Sequence, residues 1–300
     1  MNNESYIKYD RHEEEWDEIL TNPLKQQIGA TWFKHNTLDA WRHRRMHFLI
    51  NPIISYDKSF KWLTVGDGRY GTDAHFLLSS GIQKVHCSDY SDTLLTIAHE
   101  KGFISEYSAQ NAESLKFDDN SFDFIYCKEA LHHFPRPYMA LYEMLRVCKT
   151  AVILTEPRDQ LIDKAPLLPL FRLLKKLTKN NTGAHSFETV GNYVYTISER
   201  ELSKFLLGMH YNCIAFTGVN DHYIPGVEFI DIDPKNFKHK FIKLKTVVCI
   251  KIRDLLCFLG FMKTNLLTVA LFKQRPTQDL INSMSNHGWT IQELPQNPYL

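Results

Sequence analysis

A doubly wound α/β sheet is predicted by three features of the sequence. The first is a short apolar run, Trp62, Leu63 and Val65, that ends in Gly66, Gly68 and Gly71 within Lys61–Gly71 (K-W-L-T-V-G-D-G-R-Y-G). The second is a further strand-like run, Lys84–Asp89 (K-V-H-C-S-D), whose closing acid stands 18 residues after Gly71. The third is the alternation that follows: a helix over Leu94–Lys101, a weak strand over Phe103–Ala109, an apolar strand over Phe122–Cys127, a helix over Ala140–Val147 and a strand over Ala151–Thr155. Strands alternating with helices form βαβ units, and apolar strands without polar alternation suit a parallel sheet buried on both faces.

Each element has a local reason. A turn from strand to helix this tight requires φ > 0 at some residue, and glycine adopts that freely. Missing side chains also let a ligand approach the backbone beside a helix N-terminus, where N–H groups lack partners. The helix that follows runs through Thr72, Ala74, Phe76 and Leu77. A carboxylate at the end of the second strand is placed to accept hydrogen bonds from ribose hydroxyls. Lys61 to Asp89 therefore reads as a Rossmann-like half able to hold an adenosine, a pattern that nicotinamide-dependent oxidoreductases share.

Composition narrows the classes. The 300 residues carry a formal net charge of +1, so nothing global points to nucleic acid. Six widely spread cysteines without a C-x-x-C pair indicate neither a zinc knuckle nor a disulfide framework, and a reducing, cytoplasmic setting is expected. The polar, acidic start (Met1, Asn2, Asn3, Glu4) argues against a targeting peptide. The most apolar long stretch, Thr246–Phe272, is interrupted by Lys251, Arg253, Asp254 and Lys263, so no transmembrane span is expected. No metal-ligand spacing stands out, and no metal is expected.

Residues 1–58 read as amphipathic helices forming an N-terminal lid. Glu13, Glu14 and Glu15 precede Trp16, Ile19 and Leu20, and Asn36 or Thr37 is positioned to cap a second helix bearing Leu38, Trp41, Met46 and Phe48. The richest stretch is Gln110–Pro137. There N-A-E-S-L-K-F (from Asn111), S-F-D-F-I (from Ser121) and L-H-H-F (from Leu131) follow one another, and A-L-Y-E-M-L-R-V (from Ala140) comes next. In this order, behind the glycine loop and Asp89, they resemble the class I S-adenosylmethionine-dependent methyltransferases, in particular the UbiE-like group also called methyltransferase type 11. The resemblance covers Leu63 to Pro157.

That resemblance implies a Rossmann-like sheet of seven strands, the last antiparallel. It also implies S-adenosyl-L-methionine as cofactor and S-adenosyl-L-homocysteine as product. Gly66, Asp67, Gly68 and Gly71 would form the loop under the methionine and ribose, and Asp89 would take the ribose hydroxyls. Tyr90 would lie against adenine, Asn111 and Ala112 would meet its edge, and Lys128 would sit near the methionine end with Glu129. Three departures from the pattern stand out. Thr64 occupies the place of an acid two residues before the first glycine, the loop is one residue longer, and Asn111 replaces an aspartate; Asp67 is a candidate substitute for the missing acid.

The resemblance fades past Pro157. Insertions are expected over about 158–190 and 217–263 of a methyltransferase domain at 59–272, with 273–300 as a C-terminal tail. Leu161–Leu177 reads as a lid helix broken by Pro166 and Pro169, and Ser198 starts a capped helix carrying Leu202, Phe205 and Leu206. Cys213–Phe216 and Leu266–Phe272 would be strands six and seven. Between them, Asn220-Asp221-His222-Tyr223 precede a basic run, Lys235–Lys245, and then an apolar helix. The basic run fits a solvated face, an anionic substrate or a membrane surface. The tail holds a strand-like piece, G-W-T-I-Q-E-L-P, able to dock on the domain.

Methyl transfer displaces a neutral, already activated leaving group, so the cofactor carries the hard chemistry and the protein aligns the acceptor. A hydroxyl acceptor also needs its proton removed. His132 and His133 are the candidate bases, each with the alternative of capping loop backbone. His185, Tyr193, Tyr195, Asp221 and His222 are candidate substrate contacts. The expected reaction is methylation of an oxygen, nitrogen or carbon of a small molecule such as a sugar or natural-product intermediate. A quinone or lipid methyltransferase with peripheral membrane contact, a nicotinamide oxidoreductase and a non-catalytic binding protein remain open. The residues do not set the oligomeric state.

Overall fold

A computed structural model describes residues 18–160 and 193–299. Its frame is an eight-stranded sheet in the order β3-β2-β1-β4-β5-β7-β6-β8. The strands are β1 (Lys61–Val65), β2 (Lys84–Asp89), β3 (Glu106–Ala109), β4 (Phe122–Lys128), β5 (Cys148–Pro157), β6 (Cys213–Val219), β7 (Leu266–Phe272) and β8 (Thr290–Glu293). β1 to β5 run parallel; β7 pairs antiparallel with both β5 and β6, and β8 antiparallel with β6.

Eight strands, one more than the seven expected, follow from the tail. Trp289 is buried, donates its indole N–H to the Leu49 carbonyl at 2.9 Å, and thereby sets Thr290–Glu293 against the edge of β6. β3 is shorter than the Phe103–Ala109 run: Phe103 turns instead onto His75, with ring centroids 3.6 Å apart.

Period-two alternation divides the strand side chains between two cores. Trp62, Phe124, Tyr126, Ile153, Ala215 and Ala270 face one side of the sheet, and Leu63, Val65, Ile125, Cys127, Val152 and Val269 the other. The helices cover both faces. They are α1 (Pro23–Thr31), α2 (Leu38–His47), α3 (Asn51–Ile54), α4 (Thr72–Ser79), α5 (Thr93–Glu100), α6 (Pro137–Val147), α7 (Glu199–Gly208), α8 (Phe237–Phe258) and α9 (Gln278–Asn286). Ile50, Ile53 and Ile54 join the core of the sheet, so the segment before β1 is anchored as well as covering.

Capping explains the helix starts. The Asn22 side chain accepts from Leu24 and Lys25 N–H ahead of a proline at the first position of α1, and Thr37 accepts from Ala40 N–H at 3.0 Å to begin α2. Asn236 caps α8, which runs unbroken through the basic stretch and the apolar one that the sequence reading separated. Among the described residues no helix is long and apolar enough to cross a membrane. The broken helix expected over Leu161–Leu177 lies outside the described residues, as does Glu13–Trp16.

Candidate active site

A cavity of about 480 Å³ opens at the carboxyl ends of β1, β2 and β4, where open α/β sheets bind ligands. Gly66 forms its floor in the left-handed region at φ 74°. A Cβ added there would lie 2.4 Å from the Ala130 Cβ, so the close approach of the loop to the segment after β4 depends on the missing side chain. Gly71, at φ 68°, starts α4, and a Cβ there would lie 2.7 Å from Ile104. Gly68 does not adopt positive φ; Tyr70 does, at 57°, within the longer loop.

Asp67 is buried beneath the loop. Its carboxylate accepts from Asp73 N–H at 3.1 Å, Ala74 N–H at 2.8 Å and the Thr64 hydroxyl at 3.0 Å. It therefore caps α4 from within the loop, and Thr64 supplies a donor where the resembling proteins have an acid. Burial and the charge of Asp73 push its carboxyl up to about 8, against the pull of these donors. Asp89 also lines the cavity. Burial raises its carboxyl to about 6, although backbone N–H groups of Ser91, Tyr90 and Gly68 favour the anion.

Tyr90, Ala112, Lys128, His132 and His133 line the same cavity, with Gly66, Asp67 and Asp89. Lys128 Nζ lies 3.1 Å from Asp73 Oδ1 and 3.2 Å from His43 Nδ1, so a buried carboxylate balances its charge. His43 is contacted on its other nitrogen by Arg69 at 2.8 Å. Burial, with the neighbouring Lys128 and Arg69, holds its imidazole well below the usual range, and a neutral ring offers one acceptor nitrogen to those two cations.

The candidate base has a partner that sequence reasoning missed. His132 Nδ1 lies 2.5 Å from Glu156 Oε2, and Glu156 is fully buried at the end of β5. The other Glu156 oxygen accepts from Ala130 N–H at 2.9 Å and Leu131 N–H at 2.8 Å. The parallel register that sets Lys128 beside Thr155 brings the two together across β4 and β5. The signal available was Glu156-Pro157 closing an apolar strand. Two peptide N–H groups and one ring nitrogen after β4 thus converge on one carboxylate, which fixes both the loop and the ring.

Other candidates fall elsewhere. The Asn111 side chain accepts from Glu113 N–H at 2.8 Å, closing a local turn, and Gln110 and Ala112 face the cavity instead. Tyr193 is half exposed, and Tyr195 donates to Glu201 at 3.2 Å; neither lines the cavity, because their segment runs behind His132. Asp221 and His222 line a second chamber of about 640 Å³ that shares Trp32, His43, Arg69 and Glu129 with the first. Asp221 is held in place by Arg42, whose Nε donates to it at 2.9 Å. His185 lies outside the described residues. Glu129 stands between the chambers with φ 50°, and burial raises its carboxyl.

Residues 63–154 match the family model described as "Methyltransferase domain". A search of the curated proteins gave no match. Among solved structures, the chain is similar to a SAM-dependent methyltransferase from Thermotoga maritima at 15% identity and TM-score 0.49, covering 86% of this chain and 99% of that one. It is similar to another from Archaeoglobus fulgidus at 12% identity and TM-score 0.47, covering 77% and 94%. A third, from Methanosarcina mazei, is 18% identical with TM-score 0.44, covering 75% and 98%.

Proposed function

We propose that the chain is a class I S-adenosylmethionine-dependent methyltransferase, a reading supported by the match of residues 63–154 to a methyltransferase domain, and that it methylates a hydroxyl or amine of a small polar molecule. The observation that carries the proposal is the His132–Glu156 pair at the wall of the cavity that Gly66 and Asp89 bound.

The donor set of the cavity suits the cofactor. Its volume lies within the usual range for small-molecule sites. Asp89 offers an acceptor-only carboxylate for two ribose hydroxyls, and Gly66 leaves the backbone bare. Tyr90 would pack on adenine, with Ala112 and Gln110 at its edge, and Lys128 would stand near the methionine end. When bound, the cofactor supplies an electrophilic methyl on a sulfonium. Asn111 takes a supporting role, holding the turn that carries Ala112.

The chain's own part is alignment and proton removal. With Nδ1 donating to Glu156, the ring of His132 is fixed in one tautomer, and Nε2 is the atom that would take the acceptor's proton. Glu156 stabilises the imidazolium so formed, and orientation alone is worth several kcal/mol of barrier. The second chamber would hold the acceptor between Arg42, Asp221, His222 and Tyr223, whose polar groups favour an oxygen-rich molecule such as a sugar. Residues 18–58 act in this reading as the cover of the site, through Trp32 and His43.

Titration with S-adenosylhomocysteine and a turnover assay over sugar and amine acceptors test this reading. The expected result is binding to the wild-type chain and turnover that His132→Ala and Glu156→Gln each lower by about 10²-fold or more with cofactor affinity unchanged. Absence of S-adenosylhomocysteine binding would overturn the cofactor site, and full turnover in both variants would overturn the base.

A further inference from the structure

Helix α8 is amphipathic in the reverse sense. A surface helix ordinarily buries its apolar stripe and presents charge to water. Here Thr246 and Ile250 are the buried residues of the helix, while Phe237, Phe241, Leu244, Val248, Ile252 and Leu255 are all exposed. Their spacing of four, three, four, four and three residues keeps them on one face over a rod of about 33 Å. Phe237 at 84% and Phe258 at 87% exposure mark its two ends. An apolar strip this long and continuous is more than the scattered exposed leucines of an ordinary surface.

Its borders are basic. By helical periodicity, Lys238 and Lys245 lie along one edge of the strip and Lys240 and Lys251 along the other, all four exposed. The helix contains a single acid, Asp254, which accepts from the Asn220 amide at 2.9 Å. We propose that α8 is a membrane-surface helix that lies in the interface of an anionic bilayer. The phenylalanines, leucines and isoleucine would enter the headgroup boundary, and the lysines would reach outward from both edges to lipid phosphates.

Charge decides between this occupant and a second copy of the chain. Two strips packed face to face would bring lysine edges against lysine edges, and the single acid of each helix, Asp254, is already engaged by the Asn220 amide. An anionic bilayer meets the strip and both edges at once. The opposite side of the same helix turns Arg253 into the outer chamber, so a docked helix would set that chamber at the lipid surface.

The experiment is flotation of the full chain with vesicles of phosphatidylcholine alone and with vesicles in which a third of the lipid is phosphatidylglycerol. Flotation with the anionic vesicles, weakened by salt, is expected. Phe241→Glu/Ile252→Glu should abolish it, and Lys238→Glu/Lys245→Glu should weaken it by about fivefold per lysine changed, with circular dichroism unaltered in both. Absence of flotation with anionic vesicles, or flotation unmoved by both variants, would overturn the proposal. So would light scattering that shows a lipid-free dimer dissociated by Phe241→Glu/Ile252→Glu.

Discussion

Asp89 carries the clearest consequence of burial at a single residue. Its folded-state pKa of about 6 lies above the ordinary aspartate value, so folding disfavours its charge. The sign follows directly: the ligand-free fold is penalised in full above about pH 6 and relieved as pH falls through that value toward the unfolded pKa. In the proposed site, cofactor binding would draw on the opposite form, because only the anion can accept two ribose hydroxyls. Affinity for S-adenosylhomocysteine is therefore expected to be level above about pH 6 and to fall by up to about tenfold per pH unit below it. Asp89→Asn should weaken binding by about tenfold, about 1.4 kcal/mol, while raising the melting temperature of the ligand-free protein near neutral pH. Calorimetric titration across this range checks both statements. A wild-type affinity that stays level down to about pH 5, a full unit below the folded pKa, would place the ribose elsewhere.

Among the elements, the loop between β1 and α4 depends most on residue size. Gly66 combines φ 74° with an added Cβ that would collide with Ala130, whereas Gly102 has φ 67° and open space around it. Gly102→Ala is thus expected to cost only the left-handed strain, about 1 kcal/mol, and Gly66→Ala about 2–4 kcal/mol, since overpacking adds to the same strain. Urea unfolding of the two variants measures the difference, and equal costs would mean the loop yields freely. This loop was readable from sequence because glycine spacing and a buried apolar strand are local signals. The parallel strands were readable too, since burial on both faces leaves them uniformly apolar. What stayed hidden depends on contacts between distant segments or on which way a face turns. The Glu156–His132 pair arises from the register of β4 against β5, the turn of Asn111 toward Glu113 N–H is a choice of side-chain direction, and β8 is mostly exposed, with a pattern too short to fix its partner. Helix α8 shows the same limit, because its periodicity is identical whether the apolar stripe faces the sheet or the solvent.

Across the whole molecule, one chain of ion pairs ties the cavity loop to the two segments that roof it. Asp39 on α2 contacts Arg42 at 2.8 Å and Arg69 of the glycine loop at 3.0 Å, and Arg42 reaches across to Asp221, just past β6. The Arg42, Asp39 and Asp221 side chains are nearly fully buried. Such a cluster is weak evidence for net stability, because its desolvation opposes its attraction, but removing one partner strands the others without water. Arg42→Met should therefore cost about 3–5 kcal/mol, leaving Asp39 and Asp221 with reduced compensation. Adding Asp221→Leu should recover part of that loss, because it removes the stranded charge; the two changes together are then milder than the sum of each alone. Urea unfolding of the four proteins closes the cycle. The same variants test how the parts are joined, since Arg42 bridges α2 and the connection leading into α8, alongside Arg45, which donates to the Asn220 carbonyl. If Arg42 holds the second chamber closed, Arg42→Met should raise KM for the acceptor while leaving S-adenosylhomocysteine affinity near wild type, because Asp89 and Gly66 line the first cavity and not the second. A loss of both in equal measure would instead mean that the two chambers form a single unit whose geometry depends on this bridge.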